Sequence, residues 1–164
     1  MTQDRKPAPI TLRHAIPDDE PFLYELYRTT RIEEMVGWGW DDAQLETFLR
    51  LQFTAQRYHY DAAYPEADHR ILLRDSRPAG RLLVFRSEEE ILLVDITLLP
   101  ADRGAGIGAS LIKDLLDEAD QAGKSVTLHV AKDNRARRLY ERLGFEVIED
   151  TGMYFKMEWR PGRP

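Results

Sequence analysis

The stretch "ADRGAGIGASL", residues 101–111, places three glycines at alternate positions behind a single arginine, Arg103. The apolar residues that follow recur at helical spacing: Ile107, Leu111, Leu115, Ala119 and Ala122. The first amides of a helix have no partner within it and carry the positive end of its dipole. A glycine turn that leads directly into a helix therefore predicts an anion site.

Two familiar glycine motifs do not fit this stretch. A phosphate-binding P-loop requires lysine and then serine or threonine after its last glycine, but Gly108 is followed by Ala109 and Ser110. A dinucleotide fingerprint matches Gly104, Gly106 and Ala109 by residue type. That motif opens a long βαβαβ unit, whereas only about sixty residues follow Gly104, so the context argues against it.

Composition narrows the class of protein. The chain has 164 residues, 43% of them hydrophobic, which is enough for one domain with a proper core. It has no cysteine, which excludes disulfides, thiolate metal sites and cysteine nucleophiles. The first ten residues lack the apolar core of a signal peptide, and the apolar runs have strand length. We therefore expect a cytoplasmic protein without a membrane span.

Charge is unevenly distributed along the chain. The net charge of −6 argues against a general nucleic-acid binder. Residues 124–142 hold six basic and two acidic residues, a balance of +4, whereas residues 17–68 hold twelve acidic and four basic residues, a balance of −8. One segment is suited to an anion and the other to a cation, although both patterns also fit solvated helix faces.

Periodicity and turn residues predict one continuous series of elements, with no repeat or linker. A strand at 9–16 precedes helices at 17–31, opened by Asp18 or Asp19, and 43–60. A hairpin follows at 69–87, with its turn in "SRPAG", residues 76–80, and then a long central strand at 88–100. After the glycine turn and its helix come a strand at 125–131, a helix at 133–143 closed by Gly144, and strands at 145–150 and 152–159.

The combination of Arg103-x-x-Gly106-x-Gly108 with "NRARRLYERLGF", residues 134–145, resembles the Gcn5-related N-acetyltransferase (GNAT) superfamily. The resemblance extends from about residue 9 to residue 160 and is densest from Val94 to Phe145. It implies an α/β fold in which a mixed sheet of six to seven strands is flanked by about four helices. It also implies a V-shaped splay between strands 4 and 5, and a single N-acetyltransferase domain over residues 1–164.

The resemblance implies that acetyl-CoA is the cosubstrate and that no metal is needed. Its pyrophosphate would lie on the amides of the glycine turn, and its pantetheine arm would pair with the edge of strand 4 and with Asn134. Asp133 is an alternative to Asn134, because many members of the superfamily have one more residue before the tyrosine. The implied binding residues are Ile96, Leu98, Arg103, Gly104, Ala105, Gly106, Ile107, Gly108, Ala109 and Asn134.

Tyr140 matches the position of the general acid in this superfamily, where a hydroxyl protonates the departing thiolate; its ring could equally be ordinary core packing. The base is open between three residues and a water relay. His129 lies on the strand that borders the cleft and is of a suitable residue type. Asp95 interrupts an apolar strand, where it could instead pair with Arg74 or Arg81. Glu90 is the third candidate.

The expected activity is transfer of an acetyl group to a primary amine, either a small cation or a peptide amine, by direct attack in a ternary complex. The aromatic pair Trp38 and Trp40 lies beside acidic residues and suits a cationic amine, or it simply packs under its loop. The alternative function is a non-catalytic acyl-CoA sensor on the same fold. No nucleic-acid or membrane partner is expected, and whether the chain forms a homodimer is left open.

Overall fold

The computed structural model describes residues 9–162. In that range the strands are β1 (Ile10–His14), β2 (Asp68–Arg74), β3 (Arg77–Arg86), β4 (Glu90–Leu98), β5 (Ser125–Ala131), β6 (Glu146–Asp150) and β7 (Tyr154–Trp159). The α-helices are α1 (Glu20–Met35), α2 (Asp42–Ala63), α3 (Ile107–Ala122) and α4 (Ala136–Arg142). The element order agrees with the prediction throughout.

The seven strands form one mixed sheet in the order β1-β2-β3-β4-β5-β7-β6. Every neighbouring pair is antiparallel except β4 and β5, which run parallel. The predicted α/β fold with a mixed sheet is confirmed. Within residues 9–162, no helix is long and apolar enough to span a membrane.

The main core lies between the sheet and α3 and α4. Ile112, Leu115 and Ala119 of α3 pack in one cluster with Tyr140 of α4 and with buried residues of β3, β4, β5 and β7. The predicted helical periodicity is correct from Ile107 to Ala119, whereas Ala122 is exposed. Helices α1 and α2 form a separate cluster around Met35, Leu49 and Phe53.

The hairpin turn between β2 and β3 is not where the sequence placed it. Asp75 and Ser76 form the turn, with φ values of 50° and 63° that are left-handed. The predicted turn residues from Arg77 onwards belong to β3 instead. Gly80 lies inside that strand. The position requires glycine because a Cβ there would collide with the carbonyl oxygen of Thr97 on β4. The prediction was wrong because it took proline and glycine as turn formers.

Helix α1 also begins differently. A short 3-10 turn, Pro17–Asp19, precedes it, and the Asp19 side chain makes no cap for α1. Its carboxylate accepts hydrogen bonds from the Ile16 amide (2.8 Å) and from two Arg13 nitrogens (2.8 and 2.7 Å). These bonds lower the pKa of Asp19 to about 2 and fix the segment that leads into α1.

Candidate active site

An opening in the sheet lies between β4 and β5. The two strands pair only from Glu90↔Ser125 to Leu93↔Leu128, although β4 continues to Leu98 and β5 to Ala131. The later part of each strand is therefore not paired with the other. This is the predicted splay between strands 4 and 5.

The edge of β4 in this opening offers backbone groups. The Leu99 amide donates to the Ala79 carbonyl on β3 at 2.8 Å. Since backbone groups alternate between the two sides of a strand, those of Ile96 and Leu98 point away from β3 and into the opening. The Leu98 carbonyl already accepts a hydrogen bond from Arg103 Nε at 3.1 Å. Of the two predicted pairing positions, Ile96 is therefore the more available for an incoming strand-like ligand.

The glycine turn lies at the end of the opening. Gly104 and Gly106 adopt left-handed φ values of 77° and 79°, and α3 begins directly after Gly106. A Cβ added at Gly104, Gly106 or Gly108 would meet nothing within 4 Å among the described atoms, so the space outside the turn is open. The amides of Ile107, Gly108 and Ala109 are in the first turn of a sixteen-residue helix and have no acceptor within it. This arrangement is suited to phosphate oxygens.

Asp102 anchors the start of the glycine turn through ion pairs, and it was not among the site residues predicted from the sequence. Its side chain is 1% exposed and pairs with Arg77 at 2.8 Å and Arg74 at 3.2 Å. These arginines flank the β2–β3 turn, and their hydrogen bonds lower the pKa of Asp102. The ion pairs tie the start of the glycine turn to the rigid hairpin.

The basic segment after β5 lines a surface depression beside α4. Two of its cations are paired already, because Lys132 contacts Asp150 at 2.6 Å and Arg137 contacts Glu141 at 3.0 Å. Asn134 Oδ1 accepts a hydrogen bond from the amide of Ala136, the first residue of α4, at 2.9 Å. The Asn134 side-chain amide group is the part left to donate to a ligand.

Tyr140 lies on α4 and is 8% exposed. Its ring packs edge-on against Phe145 with centroids 5.8 Å apart, so it does belong to the core. Burial, together with the nearby Asp95 carboxylate, raises the pKa of its hydroxyl to about 12. The hydroxyl is therefore protonated throughout the physiological pH range, as a proton donor must be.

The three candidate bases occupy different environments. Asp95 contacts Arg81 Nε at 2.6 Å and accepts from the Thr97 hydroxyl at 3.0 Å, so the pairing with Arg81 foreseen as one alternative is present. Glu90 lies opposite Ser125 in the strand register, at the closed end where β4 and β5 are paired. His129 is exposed on β5, one residue beyond the last pair, and in the described residues 9–162 its side chain has no hydrogen bond or ion pair.

Asp95 and His129 lie on the same face of the sheet. His129 follows Leu128, whose side chain is in the main core, so it points to the opposite face. A bulge between Leu83 and Val84 turns Asp95 to that face as well, in register with Leu83. This is the face that α1 and α2 cover.

A cavity of about 270 Å³ lies between α1, α2 and this face of the sheet. Tyr60 of α2, Arg81 of β3 and His69 of β2 line it. Arg81 connects the cavity with Asp95, and its guanidinium lies 5.7 Å from the Tyr60 ring centre. His69 was not among the site residues predicted from the sequence. Its only sequence signal is a position inside a predicted strand, which does not reveal what faces it.

The aromatic pair of the α1–α2 connection forms its own cluster. Trp38, Trp40 and Phe48 pack edge to face at centroid distances of 5.1 to 5.7 Å. Trp38 and Trp40 are nevertheless 45% and 40% exposed. Both packing and a surface role are therefore compatible with this pair.

A parallel strand pair that opens beside a glycine turn and a helix amino terminus is the arrangement expected of an acetyltransferase of the GNAT class. Residues 39–158 match the acetyltransferase (GNAT) domain family. The chain therefore belongs to the GNAT acetyltransferase family, which is a class of acyltransferases.

A curated relative of this chain is also an N-acetyltransferase. Over 85 residues the chain is 32% identical to the [ribosomal protein bS18]-alanine N-acetyltransferase of Haemophilus influenzae; the match covers 51% of this chain and 58% of that relative. The chain thus spans little more than half the length of that curated relative.

Solved structures show the same fold at low identity. The PaiA N-acetyltransferase of Thermoplasma acidophilum, in complex with coenzyme A, has a TM-score of 0.70 at 19% identity, over 93% of this chain and 99% of that one. The ribosomal-protein-S18-alanine N-acetyltransferase of Escherichia coli has a TM-score of 0.61 at 20% identity, over 95% and 96%.

Proposed function

We propose that this protein transfers an acetyl group from acetyl-CoA to a primary amine by direct attack in a ternary complex. The observation that carries the proposal is the β4–β5 opening, which has anion-binding amides at its end and the protonated hydroxyl of Tyr140 nearby. A thioester held along the edge of β4 would have its phosphates on the glycine turn. Its sulfur would then lie toward the interior of the opening.

The residues present fit acetyl-CoA. The left-handed glycines leave open space next to the amides of α3, where a pyrophosphate needs close backbone approach. Arg103 is exposed beside this turn, and its guanidinium remains charged at any working pH. The Ile96 backbone and the Asn134 amide group supply hydrogen bonds for the pantetheine arm.

Starting from the ammonium form of the amine, the chemistry requires two protons to leave the nitrogen and one proton to reach the sulfur. The amine nitrogen forms a bond to the thioester carbonyl carbon, the carbon–sulfur bond breaks, and the sulfur leaves as a thiolate. Tyr140 donates its hydroxyl proton to that thiolate. Before it attacks, the nitrogen loses one proton to His129, directly or through water, because Asp95 is already engaged by Arg81 and Thr97. It loses its second proton to solvent as the carbon–sulfur bond breaks, and Tyr140 regains a proton from solvent afterwards.

The acceptor we propose is a cationic primary amine, either small or part of a peptide. Two of the relatives named above are ribosomal-protein-S18-alanine N-acetyltransferases, which supports a peptide amine. The acidic segment gives weaker support than its charge suggests, because several of its carboxylates already pair with arginines: Asp19, Glu20, Glu34, Glu46 and Asp68. Among the lining residues of the cavity, Asp61 is exposed and has no ion pair within residues 9–162.

The test is a thiol-release assay with acetyl-CoA across chemically diverse amines, including peptides with free amino termini. Turnover with cationic amines supports the proposal. Tight CoA binding without turnover for any amine would favour the sensor alternative. Preference for acidic amino acids over every cation would overturn the proposed acceptor class.

A further inference from the structure

Two buried residues hold the ends of the glycine turn. From residue 101 to residue 107, Asp102 and Ile107 are buried, whereas residues 103–106 between them are exposed. Ile107 packs with Leu72 of β2 in a small apolar cluster. Asp102 is held by charged groups instead, so the two ends of the same turn are fixed to the β2–β3 hairpin by different forces.

The contacts of Asp102 fix its orientation as well as its position. Arg77 Nη2 and Nη1 donate to the two carboxylate oxygens at 2.8 and 3.3 Å, which makes a forked contact, and Arg74 Nη1 donates at 3.2 Å. A fork of two parallel hydrogen bonds is geometrically specific. The Asp102 amide also donates to the Leu99 carbonyl at 2.9 Å, so that both the main chain and the side chain of this residue are held.

The segment between the two anchors is rich in glycine. Glycine has more conformational freedom than any other residue, so Gly104 and Gly106 keep their left-handed φ values of 77° and 79° most firmly where the ends of the turn are fixed. A ligand that binds a loose loop must also order it, which lowers the affinity. The anchor at Asp102 therefore sets the amides of the turn in place before a ligand arrives.

The negative charge of Asp102 acts in the opposite direction. Because a carboxylate repels phosphate oxygens, its charge alone would weaken the binding of an anion at the adjacent turn. If charge were its whole contribution, neutralising Asp102 would tighten anion binding. If Asp102 holds the turn, neutralising it would weaken anion binding, so the two roles predict changes of opposite sign.

We propose that Asp102 is a positioning residue for the cosubstrate: it fixes the start of the glycine turn to the β2–β3 hairpin and so preorganises the amides that bind the pyrophosphate of CoA. This inference rests on the proposed function, since it needs the phosphates of CoA on this turn. It adds a buried residue that acts on the affinity for CoA through the turn rather than by contact.

The first experiment compares Asp102→Asn with Asp19→Asn by calorimetry with CoA. Asp19 is the matched control, because it is also a buried carboxylate in a forked contact with an arginine, Arg13, at 2.8 and 2.7 Å, but it lies at the start of α1. We expect Asp102→Asn to weaken CoA binding by about tenfold, which corresponds to about 1.4 kcal/mol. Asp19→Asn should leave the CoA affinity unchanged.

Acetyl-pantetheine distinguishes positioning of the phosphates from general damage to the fold. It carries the same thioester and arm as acetyl-CoA but no pyrophosphate. In Asp102→Asn, kcat/KM should therefore fall with acetyl-CoA and stay at the wild-type value with acetyl-pantetheine.

A second variant loosens the same anchor without changing any charge. The Arg77 side chain is 53% exposed, so Arg77→Lys is expected to fold. Lysine cannot form the fork, and CoA binding should weaken by about threefold. Arg86→Lys is its matched control, because Arg86 makes a forked contact with Glu118 at 2.7 and 2.9 Å.

The outcomes separate this inference from the proposed function. In a wild type that binds CoA, equal or tighter CoA binding by Asp102→Asn would overturn the inference alone. The same holds for equal affinities of Arg77→Lys and Arg86→Lys, and for a kcat/KM that falls equally with acetyl-CoA and acetyl-pantetheine. A wild type that does not bind CoA would overturn the proposed function and the inference together.

Discussion

The two sides of the β4–β5 opening are built in different ways. The proposed cosubstrate side is local, since the amides proposed to bind phosphate come from one continuous stretch, residues 103–109, and depend on the backbone more than on side chains. The proposed acceptor side is assembled from distant parts of the chain. His69, Arg81 and Asp95 come from three strands, and two helices cover them.

This difference has a physical basis. Phosphates have the same geometry in every molecule of CoA, so a fixed turn conformation is enough to bind them. Selection among amines requires side chains of particular size and charge, and these reach the cavity only through the register of the sheet. We therefore expect changes on the cosubstrate side to alter CoA affinity, and changes on the acceptor side to alter rates with particular amines.

The largest effect is expected from Tyr140→Phe, at the proposed proton donor. The substitution removes the proton donor but keeps the ring against Phe145, so kcat should fall by about 10²–10⁴-fold while CoA affinity changes little. Steady-state kinetics with acetyl-CoA and the best amine measures this. Tyr58→Phe is the control, because Tyr58 is 73% exposed. An unchanged kcat would mean that Tyr140 is only a core residue.

Gly106→Asp should break the cosubstrate side alone. It combines a left-handed backbone position with a negative charge where phosphates are proposed to lie, so CoA binding should weaken by about 100-fold, or about 2.7 kcal/mol. Calorimetry measures the affinity. Gly123→Asp is the matched control, since Gly123 has φ of 67° at the far end of α3 with nothing within 4 Å of a Cβ. Equal losses in both variants would point to backbone strain.

His129→Ala should impair the acceptor side in a pH-dependent manner. At pH 7 an alkylamine, with a pKa of about 10.4, must lose a proton to attack, so we expect kcat/KM to fall by about tenfold or more without the base. Above about pH 10.4 the free amine predominates, and the deficit of the variant should shrink progressively as the pH approaches that value. His59→Ala serves as the control. A deficit that is equal at pH 7 and pH 10 would exclude His129 as the base.

Asp19→Asn should have the smallest effect and should alter stability. The folded pKa of Asp19, about 2, is below its ordinary value, so its stabilising effect is full above about pH 4 and is lost as the pH falls toward 2. We expect the variant to be less stable by about 1–2 kcal/mol at pH 7, with the difference shrinking below pH 4. Urea unfolding at several pH values measures this, with exposed Asp18→Asn as the control. The same difference at pH 7 and pH 2.5 would contradict this assignment.

Local periodicity and residues close in the chain predicted the order of elements and the glycine turn, whereas the opening between strands 4 and 5 was implied by the resemblance to the GNAT superfamily. The sequence also proposed Tyr140 as the acid and left the base open between His129, Asp95, Glu90 and water; the structure describes their surroundings, and their roles stay predictions. The hairpin turn at Asp75 and Ser76 was missed, since Pro78 and Gly80 are locally turn formers but are held in β3 by the close approach of β4.

Other features were decided only by the tertiary structure. Strand pairing places Arg81 beside Asp95, and it places Arg74 and Arg77 beside Asp102. No local sequence pattern distinguishes these three arginines. The same pairing, with α2 packed against this face, buries His69 Nε2 without a hydrogen-bond partner among residues 9–162. Contacts of this kind depend on strand register and helix placement, which bring together residues that are far apart in the chain and leave no local pattern.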